Sequence, residues 1–99
     1  MPFNRVSIRD AKDLLKKNDL ILIDIRDHNS FMNGHIENAI HIEDLNLQNF
    51  LNEKDKNDTI LIYCYHGYSS QSAANFFSHQ GFNNVFSMDE GYEGWLNYN

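Results

Sequence analysis

The chain has 99 residues, 41% of them hydrophobic and 13% aromatic, with 14 acidic against 8 basic side chains and a formal net charge of -6. That length and apolar fraction suit one compact domain over residues 1–99 and leave too little chain for a second. The shortage of Lys and Arg argues against a nucleic-acid surface, and an anionic small molecule would have to be captured by local N–H dipoles, since the protein's overall field repels it.

The turn at residues 5–7 can add an edge strand, and Ser7 caps a predicted helix over residues 8–17. Ile8, Ala11, Leu14 and Leu15 share one face of that helix, with Asn18 as a left-handed stop. Residues 20–25, LILIDI, form a nearly unbroken apolar run of the kind buried on both faces of a parallel sheet. Residues 26–33 read as a polar turn holding one helical turn around Phe31, after which Gly34 and His35 lead into a short strand over 39–42. Asp44 opens a further helix whose Leu45, Leu47, Phe50 and Leu51 fit the helical period only loosely, and 52–58 is a charged surface turn.

Residues 59–64, TILIYC, are a β-type run that ends on the only cysteine of the chain. The helix that follows starts at Ser70 and carries Ala73, Ala74, Phe76 and Phe77, with Gly81 after Gln80 as its stop. Residues 85–88 make a last strand, 89–91 a turn, and 92–96 a final helical turn or two that carries Trp95 inward; Trp95, Phe76 and Phe77 read as core. Strands alternating with helices over this length imply an α/β domain of three layers, a central and mainly parallel sheet flanked by helices and joined by right-handed crossovers.

No stretch approaches the roughly 20 apolar residues that span a bilayer. The opening MPFNRVSIRD also lacks the apolar region of a signal peptide, so a soluble, cytoplasmic protein is the expectation, with no membrane partner. A single cysteine makes no internal disulfide, and an exposed thiol kept for chemistry fits a reducing compartment. Mid-strand, Cys64 would read as a small buried hydrophobe. At a strand's last residue, followed by Tyr65, His66, Gly67, Tyr68, Ser69 and Ser70, it reads as a nucleophile at the carboxyl edge of a sheet, where ligands bind in open α/β folds. Loop amides and the positive end of the following helix favour the sulfur anion, so Cys64 is expected to titrate below an ordinary thiol.

The other polar residues divide less sharply. Ser69 and Ser70 serve as helix cap, as hydroxyl donors to the sulfur, or both. His66 invites a Cys/His pairing, but two residues along a tight loop its ring is expected to face solvent. Gly67 marks a backbone angle or close approach that a Cβ would obstruct. Asp24 and Arg26 are candidates for supporting the site, although an Asp at a strand's end beside an Arg reads more simply as a structural pair. His35, His41 and Asp24 have no metal spacing, and with one cysteine no zinc site is expected.

The chain resembles the rhodanese-like domain family, and within it the bacterial single-domain thiosulfate sulfurtransferases whose active-site loop begins Cys-Tyr-His-Gly. Upstream of the cysteine, LIDIRDHNSFMNGHIENAIHI is similar to a family signature through Asp24, Arg26, Phe31, Gly34, His35, Ile36 and Ala39. Downstream, GFNNVFSMDEGYEGW is similar to the family's closing signature through Gly81, Val85, Asp89, Gly91, Tyr92 and Trp95. The chain departs at Asn38 and Glu90, where the family often has glycine, and at Tyr68, often smaller or polar in relatives, which bears on donor preference. The resemblance implies a rhodanese-like α/β fold and a cofactor-free enzyme in which Cys64 accepts the outer sulfur of thiosulfate as a persulfide. Cyanide, a dithiol or thioredoxin would then remove it, and two half-reactions predict ping-pong kinetics.

Two other functions compete. Cysteine-dependent phosphatases and arsenate reductases also use a thiol in an anion-binding loop, but their Cys, five residues, Arg pattern would need an arginine where this chain has Ser70. A non-enzymatic sulfur carrier or interaction module is the third reading, disfavoured by the intact cysteine.

Overall fold

Strands and helices alternate along the computed structural model, which describes residues 2–98. The order is β1 (Asn4–Val6), α1 (Ile8–Leu14), β2 (Leu20–Asp24), α2 (His28–Asn33) and β3 (Ile40–His41), then a 3-10 turn at Ile42–Asp44. It continues with α3 (Leu47–Glu53), β4 (Thr59–Tyr63), α4 (Ser69–His79), β5 (Asn84–Met88) and α5 (Gly91–Asn97). The strands form one five-stranded sheet in the order β1-β5-β4-β2-β3, and every pairing is parallel.

The sequence pattern explains why β4 lies in the middle. Each of its residues, Thr59 to Tyr63, is buried, as a strand covered by helices on both faces requires. Alternate side chains feed two cores. Ile60 and Ile62 join Ile23, Phe50, Phe77, Phe82 and Val85 on one face. Leu61 and Tyr63 join Ile8, Ala11, Leu22, Ile36 and Met88 on the other. Fully burying one such side chain is worth about 1.5–3 kcal/mol, so this strand anchors both layers.

Differences from the expected elements have local causes. Ser7 caps α1 by accepting the Asp10 amide at 3.1 Å. The helix ends at Leu14 and not at 17, because Lys16 and Lys17 bond back three residues to Asp13 and Leu14. That tightening closes the end without a left-handed residue, and Asn18 is not in one. Asp44 ends a 3-10 turn instead of opening a helix. Asn46 caps α3, its side-chain oxygen taking the Asn49 amide at 3.1 Å. Phe77 is buried, but Phe76 is 39% exposed and is not core. Trp95 packs half-buried on the Leu61 and Tyr63 side, with the Lys12 ammonium 4.2 Å from its ring centre. Among the described non-glycine residues the left-handed conformations fall at Asn38 (φ 71°) and Glu90 (φ 66°), the two positions where glycine was to be expected. Among the described residues no helix is long and apolar enough to cross a membrane.

The topology decides where a site can open. From β2 the chain moves outward to β3, and from β4 it moves the other way to β5. Connections leaving neighbouring strands in opposite directions part above their carboxyl ends, and ligands bind in the resulting crevice. One wall is set by Asp24, the last residue of β2, and by Arg26. The guanidinium Nη2 donates to Asp24 Oδ2 at 2.7 Å and to the Gly34 carbonyl at 2.7 Å, and the two side chains are 4% and 0% exposed. Burial works against the charge on Arg26, but the Asp24 carboxylate outweighs it and the guanidinium is held charged. Asp24→Ala would leave that charge buried without its counter-ion, and should cost about 3–5 kcal/mol in a urea melt.

Candidate active site

Cys64 follows the last residue of β4 directly, so its side chain emerges at the crevice. The exposed thiol expected from the sequence is instead recessed, since Cys64 is 6% exposed. The recess is lined with donors. The Gly67 amide donates to Sγ at 3.1 Å and the Ser70 amide at 3.3 Å. Ser70 Oγ lies 3.4 Å from Sγ. Burial pushes the Cys64 thiol up, yet the Ser70 hydroxyl together with the amides of Ser70, Gly67 and His66 outweighs it, and the thiol lies below its ordinary value.

The loop is held in this shape from outside. Gly67 has φ 96°, and a Cβ there would stand 2.8 Å from the Glu90 amide nitrogen and 3.2 Å from the Met88 carbonyl. The close approach of loop and closing turn is therefore what requires glycine. The first turn of α5 grips the other end, the Tyr92 amide taking the Cys64 carbonyl at 2.8 Å and the Glu93 amide that of Tyr65 at 3.1 Å.

Of the residues singled out in the sequence, Cys64, Gly67 and Ser70 come together around the sulfur. Tyr65 and Tyr68 are 48% and 79% exposed on the loop's outer side, and Ser69 begins α4 exposed. The caps expected of Ser69 and Ser70 are absent. Tyr68 occupies the cap position in helical conformation without a side-chain bond, and Ser70 turns its hydroxyl to the sulfur instead. His66 faces outward as expected, its ring half exposed with Nδ1 2.5 Å from Glu93 Oε2. Asp24 and Arg26 form the structural pair, and the Arg26 guanidinium carbon stacks 4.1 Å from the Tyr92 ring centre on the crevice wall. Tyr63 beneath it accepts the Ile36 amide at 3.1 Å, and burial pushes its phenol far above the ordinary range.

Sequence reasoning missed Ser87. It is fully buried on β5, and its hydroxyl lies 2.7 Å from that of Ser70, which extends the hydrogen-bonded chain inward from the sulfur. Only the register that sets Ser87 beside Ile62 reveals it. The histidines also group differently: His28, His41 and Glu43 have ligand atoms within 4.8 Å, with neither Asp24 nor His35 among them. Both ring nitrogens of buried His41 are committed, Nε2 donating to the Arg26 carbonyl at 2.5 Å and Nδ1 accepting the Glu43 amide at 3.3 Å.

The arrangement can act chemically as a nucleophile, because the donors around Sγ favour its anion. Alkylation by iodoacetamide, followed against pH, should give a midpoint below that of a free thiol at about 8.5. Ser70→Ala removes the hydroxyl and keeps the amide, and should move that midpoint upward.

The rhodanese-like domain family description matches residues 7–98. The chain is 43% identical over 95 residues to the thiosulfate sulfurtransferase GlpE of Pseudoalteromonas translucida, covering 96% of this chain and 90% of that protein. It is 41% identical to the protein of the same name from Coxiella burnetii, covering 96% and 89%. Among solved structures it is similar to a rhodanese-like domain protein from Staphylococcus aureus. That likeness has a TM-score of 0.77 at 23% identity over 94% of this chain and 91% of the other, and it concerns the fold.

Proposed function

The chain belongs to the rhodanese-like domain family, and we propose that it is a thiosulfate sulfurtransferase in which the transferred sulfur rides on Cys64 as a persulfide. The observation that carries this reading is the set of N–H and O–H groups converging on Sγ of a cysteine whose thiol is held below its ordinary value.

In the first half-reaction the Cys64 thiolate attacks the outer sulfur of thiosulfate. The S–S bond of thiosulfate breaks, sulfite leaves with the electron pair, and the negative charge stays on the outer sulfur of the new persulfide. The second half-reaction reverses the polarity of attack. Cyanide, or the thiolate of a dithiol or thioredoxin, takes the outer sulfur, and the Cys64 thiolate is restored. Each step moves one sulfur between two sulfur or carbon nucleophiles, so no cofactor is called for. The protein's task is to keep an anion on Cys64 in both states, which preorganised amides do without reorganising.

Tyr65, His66, Gly67, Tyr68, Ser69 and Ser70 form the substrate loop in this reading, with Gly67 and Ser70 as its anion donors. Asp24 and Arg26 support the site by fixing the crevice wall. The guanidinium is already engaged by a carboxylate and a carbonyl, so capture of the donor falls to the loop. Phosphoryl transfer fits the geometry less well. The residue that would clamp a phosphoryl group is Ser70, and Arg26 cannot leave Asp24 without stranding a buried carboxylate. A thiol that must stay reduced between turnovers suits a cytoplasmic setting.

Mass spectrometry after incubation with thiosulfate should show one added sulfur atom on the intact protein, removed by cyanide and absent in Cys64→Ser. No addition to the unaltered chain would overturn the persulfide route. Multiple turnover with thiosulfate and cyanide separates an enzyme from a mere carrier.

A further inference from the structure

We propose that Glu90 is a specificity-determining residue of the sulfur-transfer site, one that weakens the approach of small anions to Cys64 relative to uncharged reactants. The proposal deepens the sulfurtransferase reading and rests on it. Two clefts flank the catalytic loop, and Glu90 lines both, one with His66, Tyr68 and Glu93, the other with Arg5, Gly67 and Asp89.

Part of the charge around these clefts is paired. Arg5 Nε is 2.9 Å from Asp89 Oδ1, whereas the His66 ring beside Glu93 offsets that carboxylate only when it is protonated. Among the described residues Glu90 has no ion-pair partner. No Lys or Arg follows Lys56 in the sequence, so the half of the chain that supplies the loop and the closing turn offers no cation to offset it. An anionic donor that reaches the loop through either cleft therefore meets the negative charge of Glu90 without a cation paired to it.

The backbone at Glu90 does not favour a side chain. Its φ of 66° lies in the left-handed region, which costs a residue bearing a Cβ roughly 1 kcal/mol. Its Cβ is accommodated only because residue 94 is glycine, where an added Cβ would come within 2.4 Å of it. A carboxylate is thus carried at a strained position whose backbone nitrogen packs against Gly67, the residue whose amide binds the sulfur. Strain of this kind concentrates at functional sites. A purely structural role, such as complementing the helix dipole at the start of α5, would affect stability and leave the charge preference of the thiol untouched.

Rates of alkylation by iodoacetate and by iodoacetamide give the test, because both reagents attack the same thiolate and differ by one negative charge. In Glu90→Gln the iodoacetate to iodoacetamide rate ratio should rise about twofold at low ionic strength, and the gain should fade at ~0.5 M salt. The gain for dianionic thiosulfate should be the square of that for iodoacetate, a fall in KM of about fourfold. Glu90→Gly, which also relieves the backbone, should show the same ratio and serves if Glu90→Gln folds poorly. An unchanged ratio at low salt, or a rise that persists at high salt, overturns the proposal. The alkylation ratio does not require sulfur transfer, so it stands or falls apart from the persulfide reading.

Discussion

A sulfur atom that carries negative charge inside a recess must be met by hydrogen-bond donors, and the rest of this structure serves that requirement. Burial alone would raise the Cys64 thiol, and the donors from residues 66, 67 and 70 reverse the sign. Three of the four are backbone amides, so the property belongs to the path of the chain more than to any side chain. That path depends on contacts remote in sequence: the closing turn pressed against Gly67, and the first amides of α5 on the carbonyls of Cys64 and Tyr65. Helix α5 is in this sense part of the loop around Cys64.

The second wall of the crevice works by rigidity. Arg26 is the kind of residue expected to receive an anionic substrate, yet its guanidinium is shared between Asp24, the Gly34 carbonyl and the face of Tyr92. Fixed on three sides, it braces the loop after β2 against α2 and α5. What remains free to meet an anion is the set of loop dipoles, which stabilise charge at contact and exert little pull at a distance. In an acidic protein this divides two properties usually coupled. In the proposed sulfur transfer, affinity for a charged intermediate would be set inside the recess, and access to it by the few charges at the rim.

The parts legible in the sequence are those governed by local pattern. The alternation within TILIY, the apolar run LILID and the cap at Ser7 place the strands and the cysteine, because burial on two faces and an unsatisfied helix end leave a strong mark on residue choice. The parts that were not legible depend on tertiary approach. The apolar residues of 45–51 fit a helix starting at Asp44 as well as one capped by Asn46, and hydrogen bonding decided the matter. Ser70 looks like a cap in sequence, but its hydroxyl is engaged with the Cys64 sulfur and with Ser87 instead. Phe76 shares a helical pattern with Phe77, yet only one of two adjacent positions can point at a flat sheet. Ser87 carries no motif at all.

The buried pair of hydroxyls behind the sulfur has a consequence for how the site tolerates changes of charge. Each hydroxyl has a single hydrogen on a freely turning bond, and the oxygens of Ser70 and Ser87 are 2.7 Å apart. When sulfur is anionic, the Ser70 hydrogen points to it and Ser87 donates in turn to Ser70. When sulfur holds a proton, the thiol donates to Ser70 Oγ and the Ser70 hydrogen is free to turn to Ser87. A change of charge on the sulfur can thereby be met by turning a hydroxyl hydrogen, so the recess around Cys64 has one polarisable seam in a framework of fixed amides.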